Sequence, residues 1–229
     1  MSLALLVALV FLLPLALLAG AVGSGSVLLW GAFVAMELVF ARQQLSLARG
    51  SVALFYNHSG IRRLSHGDAA GAAKAFARAL RFGKSDIAYV NNLALSLVYC
   101  GDLDRAREVL QPVIDRSDIP QAKREPLMST WALLLALLGD LEGARAAEAA
   151  AGNEEFSVAA WVIAARERRW PFSRPAELKG AWARHLYEVL EAFVAGDGYR
   201  DRALARPLPI GLARALAFRW PEMKGFLGS

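Results

Sequence analysis

Three Gly-Asp pairs recur at nearly fixed spacing: Gly67-Asp68, Gly101-Asp102 and Gly139-Asp140, 34 and then 38 residues apart. Each follows an apolar stretch of helical character. Each glycine is followed five residues later by alanine: Ala72, Ala106 and Ala144. Self-similarity at this period restricts the chain to a stack of similar helix-turn-helix units. Glycine ends the first helix of a unit in left-handed backbone that other residues adopt only at a cost. The aspartate is placed to cap the second helix. A unit alone leaves an apolar face uncovered, so the units stack into one core.

The register can be followed residue by residue. Repeat one, from Ala53, carries Tyr56, Gly60, Gly67, Ala72, Phe76 and Ala79 at positions 4, 8, 15, 20, 24 and 27. Repeat two, from Ile87, carries Asn92, Leu93, Ala94, Leu97, Gly101, Ala106 and Leu110 at positions 6, 7, 8, 11, 15, 20 and 24. Repeat three, from Glu125, has Trp131, Ala132, Leu135, Gly139, Ala144 and Ala151 at 7, 8, 11, 15, 20 and 27. This pattern resembles the tetratricopeptide repeat (TPR) family over about residues 53–152. Ser59, Arg63, Val113 and Glu148 depart from it. The resemblance implies an all-α fold with an α-solenoid of about three repeats.

The first 48 residues are of another kind, holding only Glu37 and Arg42 as charges. Leu3 to Val22 is an uncharged apolar run of about 30 Å as a helix, the thickness of bilayer hydrocarbon. Gly23-Ser24-Gly25-Ser26 signals a turn, and a shorter apolar run, Val27 to Ala41, follows. The whole chain is 56% apolar and 21% charged, which favours a membrane-associated class. The expectation is a transmembrane helical hairpin over 1–48, with helices at about 3–22 and 27–47. The repeats follow over 49–152 and a C-terminal helical region over 153–229. No basic flank precedes the first run, which argues against a cleaved signal.

Arg42, Arg49, Arg62 and Arg63 follow the second run with no acid among them, so they are expected to face lipid headgroups. That places the repeats in the cytoplasm at an inner membrane; a periplasmic orientation is the alternative. Glu37 is read as an intramembrane polar residue or as an interfacial one beside Arg42.

In the C-terminal region, Phe156–Trp170 and Glu177–Ala195 have helical apolar spacing and suit the end cap that repeat arrays require. The tail carries Ile210, Leu212, Leu216, Phe218 and Trp220 with Arg214 and Arg219. It reads either as an interfacial helix or as a helix folded back on the array.

Catalytic signatures are missing. There is no Gly-rich phosphate loop, GxSxG or HExxH. Cys100 is the single cysteine and excludes an internal disulfide. His58, His66 and Asp68 have no third partner at catalytic spacing. No enzyme activity, cofactor, metal or small-molecule substrate is expected. The net charge of +5 is too dispersed for nucleic acid.

What remains is binding. The TPR resemblance implies a concave groove lined by the first helix of each repeat. Here that lining includes Leu54, Asn57, Ile61 and Leu64, then Asn91, Leu95, Val98 and Tyr99, then Ser129 and Leu133. It contains no Lys or Arg, so a clamp for a C-terminal carboxylate is not expected. An apolar groove suits an amphipathic helix, a partner's or the chain's own. The reading is a non-catalytic membrane-anchored scaffold for protein partners. The alternatives are an accessory subunit whose hairpin packs on partner helices, and a periplasmic assembly factor.

Overall fold

A computed structural model of the chain describes residues 13–83, 86–152, 157–169, 181–196 and 210–227. Every regular element among them is an α-helix: α1 (Leu13–Ser24), α2 (Val27–Ser65), α3 (Ala69–Phe82), α4 (Ile87–Cys100), α5 (Leu103–Ile114), α6 (Gln121–Leu138), α7 (Leu141–Ala151), α8 (Val158–Arg166), α9 (Ala181–Ala195), α10 (Ile210–Arg219) and α11 (Pro221–Leu227). The chain divides into two compact units, one ending at Val52 and the other starting at Ala53.

In the first unit, Ser24 Oγ donates to the Gly20 carbonyl at 2.6 Å and Gly25 adopts left-handed backbone. Together they end α1 and turn the chain into α2. The expected transmembrane hairpin is corrected here: among the described residues no helix is long and apolar enough to cross a membrane. The apolar start of α2 ends at Ala41, contains Glu37, and is followed by Arg42-Gln43-Gln44. Val27–Ala41 reaches about 22 Å as a helix, short of a hydrocarbon core of about 30 Å. The transmembrane reading falls with the hairpin. Glu37 is exposed on α2. The part of the first apolar run before residue 13 lies outside the described residues. The second helix also does not stop near residue 47 but runs to Ser65.

In the second unit the Gly-Asp signals act at the turns. Gly67, Gly101 and Gly139 all take positive φ, at 87°, 78° and 95°. Asp68 accepts from the Gly71 N–H at 2.8 Å and Asp140 from the Gly143 N–H at 2.9 Å, capping α3 and α7. Asp102 makes no such bond at the start of α5. Ala72, Ala106 and Ala144 are fully buried. Their small side chains let the two helices of a pair approach closely. The core joins Phe76, Leu97, Leu110, Leu127, Leu134 and Trp161. Each large side chain removed from water contributes about 1.5–3 kcal/mol.

The C-terminal helices close the array. α8 packs on α6 and α7, and α9 packs on α8. Trp161 and Tyr187 meet edge to face at 5.0 Å. α10 returns to lie on α4 and α6, and α11 packs on α10. Of the two readings of the tail, the folded-back helix is the one observed: Leu212, Leu216, Trp220 and Met223 are buried.

Candidate functional site

The groove residues separate into an open part and a filled part. On the first repeat, Leu54 is 49% exposed and Ile61 47%. Leu64 is half-buried. Asn57 is engaged: its Oδ1 accepts from Asn92 Nδ2 at 3.0 Å, tying α2 to α4. On the second and third repeats, Asn91, Val98, Tyr99 and Leu133 are buried, while Leu95 and Ser129 are half-buried. Ser129 Oγ donates to the Glu125 carbonyl of its own helix at 3.1 Å. Burial pushes the Tyr99 hydroxyl up to about 12, so the phenol stays neutral. The Asn91 Oδ1 atom is buried without a hydrogen-bond partner among the described residues. Of these positions, those of the first repeat are thus the more open, and those of the second and third are largely covered.

α10 packs on α4 and α6, and its seat is built in three places. Gly211 meets the turn after α4 backbone to backbone, against Cys100 and Gly101. Arg219 Nη2 donates to both carboxylate oxygens of Asp104, at 2.8 and 3.0 Å. Arg166 of α8 donates from Nη2 to the Leu137 carbonyl at 2.8 Å and to the Arg219 carbonyl at 3.4 Å. Its guanidinium also lies 4.5 Å from the centroid of the Trp220 ring. Burial lowers the Arg166 pKa and the Glu222 charge opposes that shift. The group remains cationic, as arginine does in proteins.

Beside this seat is a cleft of about 430 Å³, bounded by Cys100–Asp104 on one wall and by Gly211, Arg214, Phe218 and Arg219 on the other. Its chemistry is modest. Burial raises the Cys100 thiol, and the Asp102 and Asp68 charges raise it further, so it is a poor nucleophile. Asp104 is already paired. Among the described residues no three ligating side chains gather as a metal site would require. The His66 ring lies against the Arg62 carbonyl, at 2.7 Å from Nδ1. Asp68 serves as a cap and accepts from Arg63 Nη1 at 2.8 Å.

That last bond concerns the four arginines. Arg63 is paired with Asp68, while Arg42, Arg49 and Arg62 stand exposed on α2. Sequence reasoning missed Arg166, Asp104 and Gly211. Gly211 and the Leu212–Leu216 spacing were the available signal, a small residue beside an apolar pair one helical turn apart. No protein-family model, no curated protein and no solved structure matches this chain.

Proposed function

We propose that this chain is a non-catalytic interaction scaffold of TPR-like helical hairpins that holds an amphipathic helix of a protein partner. One observation carries the reading. α10 lies on α4 and α6, the helices to which the resemblance gives ligand contacts, while Leu54 and Ile61 at equivalent positions of the first repeat stay exposed. A helix is therefore a shape this surface accommodates, and an apolar stretch of it remains available. The open face carries Arg62 and His58, with no acid between Ala53 and Ser65, so a partner helix with acidic flanks is favoured.

The test is affinity purification of the tagged full-length chain, beside Leu54→Glu/Ile61→Glu, with mass spectrometry of stoichiometric partners. Both side chains are about half exposed, so the fold is expected to survive the change. A partner retained by the parent chain and lost by the variant supports the reading. A partner held equally by both moves the interface elsewhere, and turnover of a small molecule by the purified chain overturns the non-catalytic assignment.

A further inference from the structure

The first unit presents a broad exposed apolar surface on its described residues. On α2, Val27 is 84% exposed, Leu28 86% and Leu38 67%, with Val34 and Val39 also exposed. α1 adds exposed Leu15 and Val22. At 100° per residue, the exposed apolar positions from Trp30 round to Val39 cover roughly 180° of α2. The half-buried Leu29, Phe33, Met36 and Phe40 share the opposite side. A helix packed on a protein neighbour shows an apolar stripe nearer 100° wide, so a single protein partner would leave much of this arc in water. A fluid apolar phase covers an arc of any width.

Charge points the same way. Glu37 is the sole acid on α2, and exposed Arg42 and Arg49 follow the apolar stretch with no acid beside them. Apolar segments this short of a full crossing occur in buried core helices and in interfacial or re-entrant ones, and the width of the exposed arc favours the interfacial case. We propose that the first unit docks into one leaflet of an anionic lipid bilayer. Its exposed Val and Leu side chains enter the acyl region, and Arg42 and Arg49 meet the headgroup phosphates. No helix of the described residues crosses in this arrangement, in keeping with the length of the apolar stretch of α2. The inference is independent of what the repeats bind.

The experiment is flotation of the full chain with vesicles of phosphatidylcholine and phosphatidylglycerol, and with vesicles of phosphatidylcholine alone. Flotation is expected with both, and more strongly with the anionic set. Leu28→Glu/Leu38→Glu is expected to lower partition more than about tenfold, since two leucines no longer leave water. Arg42→Ala/Arg49→Ala is expected to remove most of the preference for anionic vesicles. Circular dichroism verifies that the variants keep their helices. Should the leucine variant unfold, quenching of Trp30 by brominated acyl chains, measured as the difference from Trp30→Phe, gives the same answer. Failure to float with either vesicle overturns the proposal. So does undiminished flotation of a folded leucine variant. A dimer in vesicle-free solution that the leucine variant splits, with no flotation, would assign the surface to a second copy of the chain instead.

Discussion

Gly211 at the start of α10 and Gly101 at the end of α4 touch through their backbones. A Cβ on Gly101 would fall well inside 3.0 Å of the Gly211 carbonyl, and one on Gly211 well inside 3.0 Å of the Cys100 carbonyl. Neither obstacle is a side chain able to swing away. Gly101 has a second constraint, its φ of +78°.

Gly211→Ala is therefore expected to lift α10 from its seat and destabilise the chain by about 2 kcal/mol, the usual scale of overpacking. Gly101→Ala meets the same obstruction and adds left-handed strain, so its loss should be larger. Thermal unfolding followed by circular dichroism ranks the two. Equal and negligible shifts would show that α10 does not need this approach.

Two arginines hold α10 in different ways. In the Arg219–Asp104 pair a single nitrogen, Nη2, reaches both carboxylate oxygens, and the Asp104 side chain is 77% exposed. Asp104→Ala should then cost no more than about 0.5 kcal/mol. Arg166→Ala removes a half-buried group that binds two carbonyls and covers Trp220, and should cost about 2 kcal/mol. Urea unfolding midpoints of both variants test that order, and a greater loss for Asp104→Ala would reverse the assignment.

The three Gly-Asp turns give a matched set of substitutions. Asp68→Ala and Asp140→Ala each remove an observed cap bond and should cost about 1 kcal/mol. Asp102→Ala removes none and should fall within about 0.5 kcal/mol of the parent. Equal losses at all three would mean that the capping geometry is not what matters at these turns.

Glu148 stands where the repeat pattern calls for a large apolar residue. It is buried, and one carboxylate oxygen accepts from Ser157 Oγ while the other has no partner among the described residues. Burial raises its pKa, and the Ser157 bond opposes that only in part. A carboxyl raised in the folded state binds its proton more tightly there than in the unfolded chain. Its contribution is therefore most favourable below the unfolded value and declines as pH rises through the folded one. Glu148→Gln keeps an acceptor for Ser157 and should stabilise the chain at pH 7, raising the melting temperature by a few degrees for about 1 kcal/mol. The gain should shrink on acidification; a gain that stays constant with pH would exclude burial of the charge as its cause.

The helical pairs were legible because their causes are local. Left-handed glycines, capping aspartates and alanines at close crossings each act within a few residues, and the Gly-Asp spacing displays all three. The reading of 1–48 as a membrane-crossing hairpin is overturned, among the described residues, at its second run. Glu37 and the Arg42-Gln43-Gln44 break shorten the apolar stretch of α2, and the helix then runs on to Ser65 as part of the repeats.

The sequence by itself determined an all-α chain of Gly-Asp helix pairs. Only the tertiary structure decided what fills the groove. Arg219 and Asp104 are 115 residues apart, and Gly211 and Gly101 nearly as far. A contact between such distant segments leaves no periodic mark on either one. It is selected by shape and charge fit once the local elements exist, and so it becomes visible only when the chain is folded.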